Sequence, residues 1–364
     1  MKIGFVAEPY EESNASGMGY VVLEFIKNLV EQGTGDEFVV YSSKPVSREL
    51  LPGNFVNVIT PKGFVKKFFY FLRLKDDLDT LLFIAPLLPL WLPKRIKAVL
   101  VCQELASQKI TPKAFKDKIR SFLRDKILMP VCVARAVKII AASEATQKDI
   151  LQFYPRVAKE KVVVIYDGFQ DLSRFAATAV PVDAKMQPYF FFAGKVKYRK
   201  NVHGIAAAFI ALKQRRPNDA KLIIGGDYGG DYYHDIIKSA TDAGFAKDIF
   251  FVGYVTGATL YSLYKDAAGF VFPSINEGFG MPPIEAMSLG VPVLTSKISS
   301  MAEVAGGAAL LVDPFDVADI SRAMETILFD EEARKELIRK GYERAKVFSW
   351  PLAASQCLKL LKSL

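Results

Sequence analysis

Histidine is nearly missing from this chain, with His203 and His234 the only two among 364 residues. That excludes a metal motif built on two neighbouring histidines. Cysteine is almost as scarce. Cys102, Cys132 and Cys357 lie far apart with no paired spacing, which argues against a disulfide framework or a zinc site and implies a reducing compartment. Long apolar runs are missing too. The longest, Leu81 to Pro93, is interrupted by Pro86 and Pro89 and falls short of the ~20 residues that a membrane-spanning helix needs. The opening run Lys2-Ile3-Gly4-Phe5-Val6 is too short for the core of a secretory leader and is soon followed by Glu8. These absences lead us to expect a cytoplasmic protein that does not cross a membrane. Neither short repeats nor low-complexity tracts interrupt the chain.

A hydrophobic content of 51% in a chain of this length suits two buried cores rather than one. Short Val/Ile-rich runs alternate with amphipathic segments throughout. In the first half, strands are expected at Ile3 to Val6, Phe38 to Tyr41, Val56 to Ile59, Leu81 to Ile84, Val99 to Cys102, Ile139 to Ala142 and Val162 to Ile165. In the second half they are expected at Tyr189 to Phe192, Leu222 to Ile224, Ile249 to Val252, Gly269 to Phe272, Val293 to Thr295 and Ala309 to Val312. Helical patterns such as Tyr20 to Glu31 and Val202 to Arg215 lie between them. Such alternation predicts parallel sheets covered by helices, an α/β architecture of two Rossmann-like domains facing across a cleft. The expected domains are residues 1–175 and 189–345, with Ala176 to Pro188 as linker.

The most informative segment is Asn276-Glu277-Gly278-Phe279-Gly280-Met281-Pro282-Pro283-Ile284-Glu285. A strand precedes it. Pro282 and Pro283 suit a first helical turn, where a missing N–H has no intrahelical partner to lose. A strand, a glycine turn and a fresh helix N-terminus make an anion site, because unpaired backbone N–H groups and the positive dipole end face the ligand. Glu277 and Glu285 then flank the anion as acceptors for hydroxyl groups, which describes a nucleotide-diphosphate sugar. Gly194-Lys195-Val196-Lys197-Tyr198-Arg199-Lys200-Asn201 follows the first strand of the second half and supplies cations for a departing diphosphate. Gly17 and Gly19 form a similar glycine turn after the first strand of the chain.

Glu277 and Glu285, with seven residues between them, resemble the Glu-x7-Glu signature of retaining glycosyltransferases with the GT-B fold, of the class often numbered family 4. The resemblance extends to Ala142-Ser143-Glu144, Tyr166-Asp167-Gly168, Gly253-Tyr254-Val255, Met301-Ala302-Glu303-Val304, Asp313-Pro314 and Ser349-Trp350. It implies that Lys195 and Lys200 grip the diphosphate, although the first of these is more often arginine. It also implies that Glu285 binds the ribose and Glu277 the sugar, with Gly278, Phe279 and Gly280 offering backbone N–H groups. Tyr254 and Val255 would read the base, Gly17 and Gly19 would approach the phosphates, and residues 346–364, with a helix from Leu352 to Leu361, would cross back to the first domain. Gln103-Glu104-Leu105 stands where the family commonly shows His-Asp-Leu. Gln103 can hydrogen-bond a sugar hydroxyl but carries no proton at neutral pH, so this acceptor-side pair, Gln103 and Glu104, departs from the pattern.

Among bacterial members the segment looks most like mannosyltransferases, which points to GDP-mannose as donor and a glycan or lipid-linked acceptor. UDP-sugars remain open, as do a UDP-N-acetylhexosamine 2-epimerase and an inactive sugar-nucleotide-binding subunit. No cofactor is expected beyond the donor substrate. Asp77-Leu78-Asp79 matches the metal-binding Asp-x-Asp pattern of another glycosyltransferase fold, but it precedes an apolar strand and reads as solvated carboxylates, so no metal is expected.

Net charge is +9, and residues 61–140 carry 17 lysines and arginines against 6 acids. Gly63 to Arg73 mixes aromatics with cations. Lys113 to Met129 places Phe115, Ile119, Phe122, Leu123 and Ile127 on one stripe flanked by Lys116, Lys118, Arg120, Arg124 and Lys126. Such a helix suits either an anionic membrane surface, here the inner face, or an ordinary core contact. Nucleic acid is not expected, since no recognition module accompanies the charge.

Overall fold

The computed structural model describes residues 1–7, 17–49, 51–61, 66, 69–71, 74, 76–84, 92–93, 95–105 and 122–364. The chain forms two compact units, Met1–Gly168 with Phe348–Leu364, and Phe169–Val347.

Among the described residues the first unit has seven parallel strands: β1 (Lys2–Val6), β2 (Glu37–Ser42), β3 (Phe55–Ile59), β4 (Thr80–Ile84), β5 (Lys97–Cys102), β6 (Lys138–Ala141) and β7 (Val162–Val164). Their order is β3-β2-β1-β4-β5-β6-β7, with Ile3 beside Phe38 and Thr80. Leu81, Leu82, Phe83, Val99 and Leu100 are completely buried, as expected where helices cover both faces of a sheet. The helix Met18–Gln32 buries Val21, Val22, Phe25, Ile26, Leu29 and Val30. Each such side chain contributes roughly 1.5–3 kcal/mol when removed from water. Its partner in the same unit is the final helix, Trp350–Lys362, which Ser349 caps through the Leu352 N–H. Tyr20 meets Trp350 edge to face at 6.2 Å, and Gln32 donates to the Pro351 carbonyl.

The second unit repeats the scheme with β8 (Tyr189–Ala193), β9 (Lys221–Gly225), β10 (Ile249–Gly253), β11 (Gly269–Phe272), β12 (Val293–Ser296) and β13 (Leu310–Val312), ordered β10-β9-β8-β11-β12-β13. Its core is aromatic. Tyr189, Phe190, Phe191 and Phe192 are fully buried, and Phe192, Phe272 and Phe270 stack in succession at 5.6 and 5.8 Å. Strand order reverses between β8 and β11. In open parallel sheets that switch point is where the carboxyl ends of the strands leave room for a ligand. Both segments that carry the sequence argument, the turn after β8 and the loop after β11, emerge there.

Every strand expected from the sequence is present, but the boundary between units falls earlier than residue 175. Residues 169–188 belong to the second unit and are no free linker. The 3-10 turns at Leu172–Thr178 pack on the helix Gly257–Lys265, where Phe175 lies against Gly257, and the Val182 N–H donates to Asp266. The return to the first unit begins at Phe348, whose ring meets Tyr166 at 5.5 Å. Segments Gly63 to Arg73 and Lys113 to Ser121 lie largely outside the described residues. From Leu123 to Leu128 the backbone winds as a π-helix, so the expected regular α-helical stripe does not hold there. Asp79 accepts the Lys2 backbone N–H and Asp77 pairs with Arg95, which gives both carboxylates of the Asp-x-Asp sequence a structural use.

Candidate active site

The turn after β8 and the loop after β11 are joined by hydrogen bonds before any ligand is considered. Residues Tyr198–Lys200 form a 3-10 turn that ends at Asn201, which has a left-handed backbone with φ 57°. Asn201 tolerates that conformation and uses its side-chain amide to donate to the Pro273 and Pro314 carbonyls, at 3.2 and 2.6 Å. The Arg199 carbonyl accepts from the Ile275 N–H and the Ser274 hydroxyl, each at 2.8 Å. This geometry aims Arg199 and Lys200 at Glu277.

Glu277 is buried, and its carboxylate takes Lys200 at 2.7 Å, Arg199 at 3.1 Å and the Ser274 hydroxyl at 2.6 Å. Burial pushes this carboxyl up, but the two cations outweigh it and hold it below the ordinary glutamate range. Arg199 also donates to the Asn276 carbonyl, and the Lys200 ammonium lies 4.8 Å from the centre of the Phe272 ring. Two serines after β12 fix the main chain. Ser299 accepts from the Glu277 N–H at 3.1 Å and donates to its carbonyl at 2.7 Å, while Ser300 donates to the carbonyls of Glu277 and Phe279. Ser299 itself has φ 60°, a conformation that costs a non-glycine residue of order 1 kcal/mol.

Gly280 caps the helix Met281–Ser288 with φ 111°, a backbone conformation that favours glycine, and a Cβ there would also have to displace the Met301 methyl. Glu285 lies one turn into that helix, buried, with the Tyr264 hydroxyl donating to it at 3.0 Å and the Gln170 backbone N–H donating as well. Burial pushes the Glu285 carboxyl up to about 7, because these neutral donors only partly offset the lost hydration. Phe191 and Phe270, with centroids 5.1 and 5.0 Å from that of Tyr264, wedge its ring in the core.

The structure therefore unites Lys200, Glu277, Gly278, Phe279, Gly280 and Glu285 around one strand–turn–helix. Phe279 is buried, with its carbonyl engaged by Ser300. Lys195 goes elsewhere: it pairs with Asp227 at 3.4 Å, beyond β9, and both side chains are exposed. The second cation on Glu277 is Arg199, which sequence reasoning passed over although it stood inside the quoted motif. Ser274, Ser299, Ser300, Tyr264 and Gln170 were missed as well. The signal for Ser299 and Ser300 was their place just beyond a strand end adjoining the switch point.

Tyr254 is exposed at the end of β10, and Val255 packs near Gly225. Gly226 donates to the Gly253 carbonyl at 2.6 Å, and a Cβ on Gly226 would strike the Gly194 carbonyl, so the ends of β8, β9 and β10 are sealed by close backbone contact. In the first unit, Gly17 caps the helix Met18–Gln32 with φ 59° and Gly19 is buried in its first turn. Gln103 and Glu104 follow β5, both partly exposed. The two histidines sit exposed on helices, His203 on Val202–Arg215 and His234 on Gly230–Asp242.

Residues 175–344 match the family model for glycosyl transferases group 1. O-antigen chain mannosyltransferase B of Escherichia coli is 33% identical over 236 residues, which is 62% of this chain and 60% of that protein. The serotype-specific mannosyltransferase WbdA of Escherichia coli is 27% identical over 254 residues, 68% of this chain and 31% of that protein. The chain thus spans less than two thirds of the length of these curated relatives. Among solved structures, Anabaena HepE in complex with UDP and glucose aligns with a TM-score of 0.76 over 100% of both chains at 16% identity, a likeness of fold. Residues 175–344 therefore form a glycosyl transferases group 1 domain, within a chain that has the GT-B glycosyltransferase fold.

Proposed function

We propose that the chain is a retaining, metal-independent hexosyltransferase that moves mannose from GDP-mannose to a glycan or lipid-linked acceptor. The observation that carries this reading is the pairing of Glu277 with Lys200 and Arg199 at the mouth of a helix whose next turn holds Glu285. A departing diphosphate gathers negative charge, and fixed cations beside a helix N-terminus stabilise that charge without an added ion. Glu277 holds the sugar's hydroxyls and Glu285 the ribose. The mannosyltransferase relatives favour mannose, while HepE with UDP and glucose keeps UDP-sugars as the second reading. Exposed Phe122, Leu123 and Ile127, with Lys126 among them, support a peripheral contact with an anionic membrane face, where the enzyme would meet a lipid-linked acceptor.

The test is a nucleotide panel read by thermal melting. A ligand that binds only the folded state adds about 2.7 kcal/mol at a hundredfold excess over its Kd, a shift on the order of 5–10 °C for domains of this size. GDP and GDP-mannose are expected to give that shift, and UDP a smaller one. A strong response to UDP alone would overturn the donor, and no response to any nucleotide would overturn the site. Activity should survive EDTA, and loss that manganese restores would end the metal-independent reading.

A further inference from the structure

Asp167 is a buried carboxylic acid in the first unit that the proposed mechanism does not use. It lies just past β7, is 5% exposed, and among the described residues takes one hydrogen-bond partner, the Gln103 side-chain amide, which donates to Oδ1 at 3.2 Å. Among the described residues no cation offsets its charge. Burying a carboxyl against a neutral amide weakens the fold rather than strengthening it, because one amide N–H replaces little of the lost hydration. A group kept at such a cost in stability, at the carboxyl end of a parallel sheet, marks a ligand position better than a packing need.

Its neighbours hold it rigidly. The next residue, Gly168, lies so close to the Trp350 backbone and ring that a Cβ would not fit, so the final helix of the same unit pins the loop. Gln103 leaves the end of β5, and its carbonyl accepts the Thr146 hydroxyl at 3.3 Å. Thr146 in turn hydrogen-bonds Ser143, the cap of the helix Glu144–Phe153. Main chain and side chain of Gln103 are thus anchored by different elements. With an amide N–H committed to Asp167, Gln103 is left with Oε1 as an acceptor, and among the described residues nothing donates to it.

We propose that Asp167 is the positioning residue of a carbohydrate-hydroxyl site centred on Gln103. Asp167 dictates which end of the Gln103 amide faces outward. The outward oxygen accepts a sugar hydroxyl, and no proton transfer is asked of the glutamine. The inference deepens the hexosyl-transfer reading and rests on it. The hydroxyl belongs either to the acceptor or to the transferred sugar, and kinetics separate the two.

The experiment measures transfer from GDP-mannose to methyl α-D-mannopyranoside, with hydrolysis of GDP-mannose in parallel, for the wild type, Asp167→Leu, Gln103→Leu, the double variant and Asp167→Asn. Each leucine variant is expected to raise one KM about tenfold, as for a lost sugar hydrogen bond, with kcat changed much less. A raised acceptor KM assigns the hydroxyl to the acceptor, and a raised GDP-mannose KM in hydrolysis assigns it to the donor sugar. Because Asp167 acts through Gln103, the double variant should be no worse than either single one. Asp167→Asn keeps an oxygen for the Gln103 amide and should restore most of the loss. Unchanged KM values in a folded Asp167→Leu, or fully additive losses in the double variant, would overturn the proposal. The melting shift with GDP reads the nucleotide site separately: its absence in the wild type, together with absence of turnover, would bring down both the transfer reading and this inference, whereas a normal shift and turnover with a silent Asp167 would bring down the inference alone.

Discussion

The two carboxylates of the loop after β11 stand eight positions apart in sequence, yet their surroundings are opposite in kind. Glu277 is surrounded by charge, with Lys200 and Arg199 on its oxygens, and is held ionised below the usual range. Glu285 takes a phenol hydroxyl and a backbone amide, with no cation beside it among the described residues, and burial pushes it up to about 7. In the proposed reading, one end of the loop serves electrostatic work on a leaving group. The other is prepared for hydrogen bonding, and its charge is still negotiable near neutral pH. A pair whose environments push the titrations apart carries two different roles.

The largest break in this contrast should come from Lys200→Ala. The variant removes a cation from a buried carboxylate and from any departing diphosphate, so kcat should fall by about a hundred- to a thousandfold. Arg199 still neutralises Glu277, which should keep the protein folded. Single-turnover rates together with melting curves test this, and unchanged turnover would remove Lys200 from the mechanism.

Glu285 gives the contrast a pH signature. Its folded pKa lies above the ordinary 4.5, so the folded state binds a proton that the unfolded state releases between pH 4.5 and about 7. The contribution favours folding at low pH and is lost as pH rises through that window. Glu285→Gln should therefore flatten the decline in stability and be more stable than the wild type at pH 8, by on the order of 2–3 kcal/mol. Ribose hydroxyls prefer an ionised carboxylate, so in the proposed reading nucleotide binding expels the Glu285 proton. Wild-type affinity for GDP should rise about tenfold from pH 6 to pH 8, and the rise should vanish in Glu285→Gln. A pH-independent Kd by calorimetry would mean that Glu285 does not meet the nucleotide.

What could be read from the sequence follows from the range of the interactions involved. The strands were legible because Val, Ile and Phe cluster in short runs between glycines and polar turns. The two glutamates were legible because strand, glycine turn and double proline are adjacent in the chain. Gln170 was not legible as a donor to Glu285, since the two stand far apart in the chain and only folding brings them together. Arg199 was passed over for Lys195 because the choice depends on the 3-10 turn at Tyr198–Lys200 and the left-handed Asn201. A linear pattern does not specify either. The unit boundary shifted for a similar reason: proline and alanine near residue 180 suggest a linker, but the packing of Phe175 decides.

Ser299 sharpens the comparison from the backbone side, because its hydroxyl makes two hydrogen bonds to the main chain of Glu277. Ser299→Ala loses both bonds while keeping the strained backbone, and kcat should drop roughly three- to tenfold, as for a loosened catalytic loop. Ser299→Gly relieves the strain and loses the same bonds, so it should be the more stable of the two with equally poor turnover. Equal stability and full activity in both would make the left-handed turn incidental.

The smallest effect is expected at Lys195, the residue that family resemblance favours and the geometry does not. Its ammonium pairs with Asp227 at 3.4 Å, the two side chains being 59% and 60% exposed. An exposed pair of this kind is worth about 0–1 kcal/mol and is screened by salt. Lys200, by contrast, is 13% exposed and bound to a carboxylate that is 8% exposed, where removing a partner is felt far more strongly. Lys195→Ala should therefore change the GDP Kd less than about threefold, and chiefly at low ionic strength. A loss as deep as that of Lys200→Ala would show that Lys195 leaves Asp227 to grip the diphosphate when nucleotide binds, and the contrast between the two ends of the loop would then extend to a third cation.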